Sequence, residues 1–473
     1  MIDFNPMFYP ESVAVIGASP DIIRDRAGFF NSFRQCFKGK LYPVNPRHPE
    51  IHGLRCYPRI TDVPDVVDYV LIMLPRDKVP AALADCVQAK ARFVLVFTSG
   101  FSEVGDKQRE EDLLAILEGS GTRMIGPNCV GAHCPEKGLV YYPQLMQETP
   151  GDVGFFSQSG GHALNFLMRG RSMGLGFNKV ISVGNQADVK ISDFIEYFAD
   201  DPKIKFICGY IEDIKDPERF QGLVADAILR KGKPVVLWKG GRSEDGSRAA
   251  QSHTGAMAVP VAVWDSIMGQ MGVINAETQE ELLDIMLALK HGFRPAGLRA
   301  CVAVAGGGSS VELTDALNQN GVAVPVLSPG IQARIGEGIS QVNTSTRNPI
   351  DLGMFGFAPD ILVQSVACAA EDPNIDFIVV CQYLEIIYSM LKDFWEAGME
   401  TMITGLSRIS KPLILLLPQI IYNRPDVAAL HASFMERLGR AGILYYTDAG
   451  RVARMAVKVH RFRQYLERHP TRP

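Results

Sequence analysis

Short runs of apolar, often β-branched residues alternate along the chain with longer segments in which apolar positions recur at helical spacing. This alternation is typical of repeated βαβ units, in which helices cover both faces of a parallel sheet. Because the pattern restarts twice, it predicts an α/β fold with three successive sets of strands. The sets open with the strand-like runs SVAVIGAS (12–19), DVGFFSQSGG (152–161) and LRACVAVAGGGSS (298–310).

The joint between the second and third sets is the basic, Pro- and Gly-containing segment KHGFRPAG at 290–297. The third set is predicted to continue with a strand at GVAVPVLS (321–328). We therefore place three doubly wound domains at residues 1–128, 129–292 and 299–473.

Each set begins in the same way, with a buried strand that runs directly into a small-residue turn and a helix. The turns are GASP at 17–20, SQSGG at 157–161 and AGGGSS at 305–310. Small residues let a phosphate approach the N–H groups of a helix N-terminus, where the helix dipole favours negative charge. One such turn is a weak sign, because doubly wound folds favour glycine there. Three in equivalent places predict anion sites.

Composition narrows the class of ligand. The chain has 473 residues, 47% of them apolar, and a formal net charge of -4, so it lacks the basic field of a nucleic-acid binder. No apolar run approaches the roughly 20 residues that cross a bilayer, and we expect no membrane partner. The nine cysteines contain no CxxC pair, which predicts reduced thiols in the cytoplasm and no metal site.

The first domain could hold a nucleotide. A nicotinamide dinucleotide would require GxGxxG and an acidic residue about 20 positions later, but Gly17 begins GASP and the second strand ends in VNPRH. Coenzyme A carries a 3′-phosphate, which basic residues such as Lys38, Lys40 and Arg47 would suit better. Each of them is equally compatible with a solvated strand edge. Asn128 could bond a ligand or its own turn.

Eight motifs then occur in a characteristic order. They are GAS (17–19), VNP (44–46), TSGFSE (98–103), GPNCVG (126–131), SQSGG (157–161), SVGNQADV (182–189), YIED (210–213) and SHTGAMA (252–258). In these motifs the chain resembles the nucleoside-diphosphate-forming acyl-CoA synthetases, which include ADP-forming acetyl-CoA synthetase and are related to succinyl-CoA synthetase. AGGGSS and NPIDL (348–352) resemble the additional domain of the acetyl-CoA branch, so the resemblance covers nearly the whole chain.

The resemblance implies an N-terminal Rossmann-like CoA-binding domain followed by two flavodoxin-like domains. It also implies that His253 becomes phosphorylated and carries a phosphoryl group between an acyl phosphate and a nucleotide. Imidazole is nucleophilic near pH 7 and suits this role. Glu212 matches the glutamate that orients the histidine, and Asp213 beside it is the competing candidate.

Two binding sets follow from the same resemblance. The phosphohistidine would be held by two helix N-termini, one from the second domain and one from the third. The phosphate-binding residues are then Ser157, Gln158, Ser159, Gly160, Gly161, Gly307, Gly308, Ser309 and Ser310. The CoA-binding residues are Gly17, Ala18, Ser19, Lys38, Asn45, Arg47, Ser99, Gly100 and Asn128. The role of His162, next to the second turn, stays open.

The implied activity is that of an acid–thiol ligase, which interconverts acyl-CoA, phosphate and NDP with a carboxylic acid, CoA and NTP. Residues 299–473 are used by a third strand–turn–helix set, so the nucleotide-binding ATP-grasp module is expected on a separate β subunit in a heterotetramer. Mg²⁺ and ADP or ATP would bind there. The acid stays open, since Gln186 stands where Glu is usual in a segment expected to line the acyl pocket. The sequence also leaves open the choice between ADP and GDP. The alternatives are a non-catalytic CoA-binding regulator or scaffold and an NAD(P)-dependent oxidoreductase.

Overall fold

The computed structural model describes residues 2–21, 28–147, 149–248, 260–340, 342–390 and 392–470. The chain divides into two compact units. One comprises Met1–Leu282 with His469–Pro473, and the other comprises Leu283–Arg468. No helix among the described residues is both long enough and apolar enough to cross a membrane.

The first sheet lies at the start of the first unit. In chain order its region contains α1 (Asn5–Phe8), β1 (Ser12–Ile16), α2 (Phe29–Cys36), β2 (Lys40–Val44), β3 (Glu50–Ile51), β4 (Leu54–Arg55), β5 (Tyr69–Ile72), α3 (Val79–Gln88), β6 (Phe93–Val96), α4 (Lys107–Leu117) and β7 (Arg123–Ile125). The strands β2-β1-β5-β6-β7 form a parallel sheet, and β3 pairs with β4 in a small antiparallel hairpin. Every residue of β1, β5 and β6 is buried, as expected for a parallel sheet covered on both faces.

The second sheet follows in the same unit. Its elements are β8 (Gly131–His133), β9 (Val153–Ser157), α5 (Gly160–Ser172), β10 (Phe177–Ser182), α6 (Ile191–Asp200), β11 (Phe206–Ile211), α7 (Pro217–Ala225), β12 (Val235–Lys239), α8 (Val261–Gln270) and β13 (Ile274–Ala276). The next helix, α9 (Gln279–Lys290), begins in the first unit and continues into the second. The strand order is β13-β12-β11-β9-β10-β8, and only β8 among these strands is antiparallel to its neighbour. The carboxyl ends of the parallel strands therefore meet at one edge.

The third sheet belongs to the second unit. Its elements are β14 (Ala300–Val304), α10 (Gly307–Gln319), α11 (Pro329–Gly336), β15 (Ile350–Asp351), α12 (Pro359–Ala370), β16 (Phe377–Cys381), α13 (Leu384–Met390), α14 (Trp395–Leu406), β17 (Leu413–Leu416), α15 (Pro425–Arg440), β18 (Leu444–Tyr446) and α16 (Ala449–Arg468). The order β15-β14-β16-β17-β18 is parallel throughout. The predicted α/β class with parallel sheets is confirmed, and the three domain boundaries stay predictions.

One predicted strand is wrong. Within 321–328 only an isolated bridge forms, between Arg299 and Ala323, and β15 takes the place beside β14. Pro325 has no N–H to give to a strand pairing, and its carbonyl oxygen instead accepts a hydrogen bond from the Asn348 amide at 2.7 Å.

The side chains of Phe4 and Arg123 connect the first two sheets. The Phe4 ring lies 5.5 Å from that of Phe93 in β6 and 4.6 Å from that of Phe194 in α6. Arg123 in β7 forms two hydrogen bonds of 2.9 and 2.6 Å with Asp188, which follows β10. Phe93 and Arg123 are the first residues of β6 and β7, so these contacts fix the amino ends of two first-sheet strands against residues that follow β10.

Candidate active site

The turn between β9 and α5 is organised by its own hydroxyl groups. Ser157 Oγ donates to the Ser159 carbonyl oxygen at 2.6 Å and accepts from the Ser159 N–H at 3.2 Å. Ser159 is the N-cap of α5, and its Oγ accepts from the His162 N–H at 3.3 Å. Gly160 and Gly161 occupy the first helical turn, where N–H groups have no partner within the helix. Phosphate binding at this turn stays a prediction.

A cavity of about 390 Å³ opens beside this turn. It lies between loops of the first sheet and the β9–α5 turn of the second, within one unit. Its lining residues are Met73, Phe97, Thr98, Ser99, Asn128, Cys129, Val130, Gln158, Ser159, Gly160 and Gly161. The cavity thus brings together two predicted CoA-binding residues and four predicted phosphate-binding residues.

Asn128 is placed in this cavity by a tight turn. Its φ of 61° is left-handed, a conformation that asparagine tolerates, and its N–H donates to the Thr98 carbonyl oxygen at 3.0 Å. A side chain at Gly126, where φ is 97°, would come within 3.0 Å of the Val96 carbonyl oxygen. The GPNCVG motif is consequently a closely packed connection between the first and second sheets.

Glu212 lies at the end of β11 and is 5% exposed. Its Oε1 accepts a hydrogen bond from Tyr210 OH at 3.0 Å. The Tyr210 ring packs 4.5 Å from both the His162 and the Trp238 rings, and burial together with the Glu212 charge raises the pKa of Tyr210. The phenol therefore stays a proton donor that fixes the carboxylate. His162 has an aromatic packing role in this arrangement.

Asp213, the competing carboxylate, has a different environment. Its Oδ1 accepts from Gln158 Nε2 at 2.6 Å and from Gln186 Nε2 at 3.4 Å, and its Oδ2 lies 2.8 Å from Lys215 Nζ. These amide and ammonium partners hold Asp213 in a network of side chains. The choice between Glu212 and Asp213 for orienting His253 stays a prediction.

Sequence reasoning missed Lys239, the last residue of β12. The side chain is buried, and its Nζ donates to the Gly240 carbonyl oxygen at 2.6 Å. Burial lowers the pKa of Lys239, and the negative charges of Glu212 and Asp213 partly offset this effect. A lysine that ends the otherwise apolar run VVLWK was the available signal. It places a positive charge beside the two carboxylates.

The first-sheet turn is closely packed at Gly17. This residue has a φ of 93°, and a Cβ there would lie 2.8 Å from the Met73 carbonyl oxygen, so only glycine fits. Ala18 follows it and is buried, and its carbonyl oxygen accepts from the Asn45 amide at 2.8 Å. Ser19 Oγ accepts from the Asp21 N–H at 3.2 Å. Asn45 therefore braces the turn rather than presenting its amide nitrogen to solvent.

The basic residues do not all lie at this edge. Arg47 is exposed and follows β2, at the carboxyl edge with Gly17. Lys38 precedes β2, so the parallel pairing of β1 and β2 places it at the opposite edge of the sheet. The structure thus does not bring Lys38 together with the other predicted CoA-binding residues. Lys40 forms a 2.7 Å ion pair with Asp65.

Gly100 lies in a loop that other side chains hold closely. Its φ is 108°, its carbonyl oxygen accepts from Arg76 at 3.1 Å, and its N–H donates to Glu103. Glu103 in turn accepts from the Asn185 amide at 2.7 Å. This contact joins the TSGFSE loop, with Ser99 in it, to the SVGNQADV segment.

The third small-residue turn lies in the second unit, where the carboxylate of Asp351 contacts it. Asp351 Oδ1 accepts from the N–H groups of Gly306 at 3.0 Å and Gly353 at 2.9 Å. Asp351 Oδ2 lies 3.1 Å from the position of a Cβ on Gly307, and Gly308 follows in the same helical turn. Ser309 Oγ shares a 2.9 Å hydrogen bond with Tyr383 OH. Ser310 Oγ donates to the Gly307 carbonyl oxygen at 2.7 Å.

His253 lies outside the described residues. The described part of its segment resumes at α8, where Asp265 forms two hydrogen bonds of 3.0 and 2.8 Å with Arg242. This pair fixes the residues just after β12 to α8. The catalytic role of His253 and the meeting of the two phosphate-binding turns both stay predictions.

Comparisons with known proteins agree with the motifs. Residues 11–135 match the CoA binding domain family, and residues 150–289 match the succinyl-CoA ligase like flavodoxin domain family. The α subunit of an ADP-forming acetate–CoA ligase II from Pyrococcus furiosus is 33% identical over 80% of this chain and 82% of its own length. An ADP-forming acetate–CoA ligase I from Archaeoglobus fulgidus is 34% identical over 79% of this chain, which spans 54% of that relative.

A solved structure is similar over the whole chain. It is the dinucleotide-forming acetyl-coenzyme A synthetase 1 of Ca. Korarchaeum cryptofilum in complex with phosphate and ADP, with 30% identity, complete coverage of both chains and a TM-score of 0.81. These findings confirm the predicted fold class and the resemblance that the motifs indicate. The chain therefore belongs to the family of ADP-forming acetate–CoA ligases, which are nucleoside-diphosphate-forming acid–thiol ligases.

Proposed function

We propose that this chain is the α subunit of an acyl-CoA synthetase that works through an acyl phosphate and a phosphohistidine at His253. The observation that carries the proposal is the 390 Å³ cavity, in which Ser99 and Asn128 face the N-terminus of α5. A thioester bound by the first-sheet loops and a phosphate bound at Ser159 to Gly161 would share this space.

The first step follows from that juxtaposition. A phosphate oxygen attacks the thioester carbonyl carbon, the carbon–sulfur bond breaks, and the thiolate takes up a proton to give CoA and an acyl phosphate. The N–H groups of Gly160 and Gly161 and the dipole of α5 stabilise the phosphate charge. Holding both reactants in one cavity makes the attack effectively unimolecular.

The second step is phosphoryl transfer to His253. Its Nε2 forms a bond to phosphorus as the bond to the carboxylate oxygen breaks, which releases the free acid. Glu212 would accept a hydrogen bond from the Nδ1–H group and stabilise the positive charge that develops on the ring. Tyr210 would keep the Glu212 carboxylate in one orientation, and Lys239 would supply a positive charge near it.

The third step moves the phosphoryl group to a nucleoside diphosphate on a partner. The subunit name of the Pyrococcus furiosus relative supports a separate partner subunit. We propose that this partner is an ATP-grasp β subunit in a heterotetramer and that Mg²⁺ binds there with ADP or ATP. All nine cysteines are free thiols, which fits a reducing compartment such as the cytoplasm.

The test is phosphorylation of the chain itself. With the partner and γ-labelled Mg-ATP, the wild-type chain should take up acid-labile phosphate, and His253→Asn should take up none. Equal labelling of the two proteins would overturn the proposal. CoA binding without any labelling would favour the regulator, and thermal protection by NAD(P) instead of CoA would favour the oxidoreductase.

A further inference from the structure

Gln158, in the middle of the SQSGG turn, is only 6% exposed, and its polar atoms are directed towards the end of β11. Its Oε1 accepts from the N–H groups of Glu212 and, at 2.9 Å, Asp213. Its Nε2 donates to Asp213 Oδ1 at 2.6 Å, and its own N–H donates to the Tyr210 carbonyl oxygen at 3.2 Å. One side chain thus joins the phosphate-binding turn to the strand end that carries Glu212.

Gln186 joins a third loop to the same carboxylate. It is 2% exposed and adopts a left-handed φ of 59°. Its Nε2 lies 3.4 Å from Asp213 Oδ1, and its Oε1 accepts from the N–H of Ile191, the first residue of α6, at 3.0 Å. Asp213 is therefore the common acceptor for loops that follow β9 and β10.

The donor and acceptor chemistry of this network is specific. An ionised aspartate only accepts hydrogen bonds, so the side chains at 158 and 186 must both donate to it. An amide supplies the donor and still leaves an oxygen for the main-chain N–H groups. A glutamate at either position would place a second carboxylate against Asp213.

We propose that Gln158 and Asp213 are positioning residues for phosphoryl transfer, which act by fixing the Ser159 N-cap turn relative to Glu212. The inference rests on the proposed function, because it concerns the same site. Neither residue needs to contact substrate for this role. If the Gln158–Asp213 hydrogen bond is lost, the phosphate-binding turn is no longer fixed in position relative to Glu212. The Glu212 carboxylate would then orient the imidazole less well towards the bound phosphate.

The experiment exchanges the donor and the acceptor of this bond. Gln158→Glu keeps an oxygen for the two main-chain N–H groups but opposes Asp213 with a like charge. We expect kcat with acetyl-CoA, phosphate and ADP to fall about tenfold to a hundredfold, since small misplacements of reacting groups have effects of this size. KM for acetyl-CoA should not change. Adding Asp213→Asn restores a donor opposite the carboxylate introduced at position 158, and kcat should return to within about threefold of wild type, as expected for directly coupled residues.

Lys215→Met is the matched control. It removes the 2.8 Å ion pair on Asp213 Oδ2 but leaves the amide bonds to Oδ1 intact, so kcat should stay near the wild-type value. The assay uses the full chain with its partner subunit. Urea unfolding of the full chain alone measures the coupling between positions 158 and 213 without any turnover.

The outcomes separate this proposal from the proposed function. Rescue of kcat by the double substitution supports the positioning role. Coupling in urea unfolding with unchanged kcat in Gln158→Glu would make the network purely structural and overturn it. A double variant no more active than Gln158→Glu would also overturn it. An inactive wild-type complex would overturn the proposed function first, while the unfolding measurement would still report the hydrogen bond.

Discussion

The two small-residue turns at Ser157–Gly161 and Ala305–Ser310 look alike in sequence but differ in electrostatics. Each follows a fully buried strand and starts a 13-residue helix. The first turn has a serine N-cap and lines a cavity with neutral neighbours. The second has a glycine N-cap with no side-chain cap, and a carboxylate, Asp351, accepts the Gly306 N–H. We therefore expect the first turn to bind an anion more strongly than the second.

The largest effect is expected when the first turn receives a negative charge, as Asp351 supplies at the second turn. Gly161→Asp fits sterically, since the nearest atom to a Cβ there is Ser159 Oγ at 3.9 Å. The added carboxylate should repel phosphate and lower kcat/KM for phosphate about a hundredfold, the scale of losing an oxyanion-hole donor. Steady-state kinetics of the complex measure it. The isosteric Gly161→Asn should lose less than about tenfold, and equal losses in both variants would point to size instead of charge.

The next largest effect on kcat is expected from removing the tyrosine hydroxyl near the first turn, compared with the one near the second. Tyr210→Phe removes the 3.0 Å hydrogen bond to Glu212, and we expect kcat to fall about tenfold, which corresponds to about 1.4 kcal/mol. Tyr383→Phe removes the hydroxyl that shares hydrogen bonds with Ser309 and Cys381, and kcat should change less than about threefold, because hydroxyls find other partners easily. Matched assays on the two variants test the contrast. A larger loss in Tyr383→Phe would reverse the ranking of the two turns.

A smaller effect is expected in stability from the cap of the first turn. Ser159→Ala removes the acceptor for the His162 N–H, and the free energy of unfolding should fall by about 1 kcal/mol. Thermal unfolding followed by circular dichroism would show this as a midpoint lower by roughly 2–4 °C. Ser159→Asn keeps a capping oxygen and should retain most of the wild-type midpoint. A loss as large as that of Ser159→Ala would show that capping is not the cause.

The smallest effect is expected at the second turn. Asp351→Asn keeps an oxygen for the Gly306 and Gly353 N–H groups but removes the charge at the N-terminus of α10. The loss of that dipole interaction should lower the free energy of unfolding by about 0.5 kcal/mol. Urea unfolding monitored at low and high salt tests it, since the difference should shrink when salt screens the charge. A salt-independent difference would assign the effect to the hydrogen bonds.

Local patterns in the sequence predicted the strands, the parallel sheets and the turns well. The run into SQSGG indicates a buried strand and a helix N-terminus, because both depend on neighbouring residues only. Gly17 was predicted from the same kind of pattern, and its packing against the Met73 carbonyl oxygen agrees with it. The wrongly predicted strand at 321–328 contains Pro325, which has no N–H for strand pairing and so argued against a strand.

The rest depends on partners far apart in the chain. Gln158 was predicted to bind phosphate because it lies in the turn, yet its amide is bonded to residues 54 and 55 positions away. Nothing near Asp351 in sequence reveals that it faces the 305–310 turn. Lys38 looked suitable by charge alone, but the direction of β2 places it at the other edge of the sheet.

The stacking of Phe4 between β6 and α6 has a practical consequence for dissecting this enzyme. A fragment cut after the first sheet would expose one face of that ring, and a fragment that starts at the second sheet would lack the ring altogether. An experiment that transfers this part of the site to another protein should therefore transfer the entire first unit.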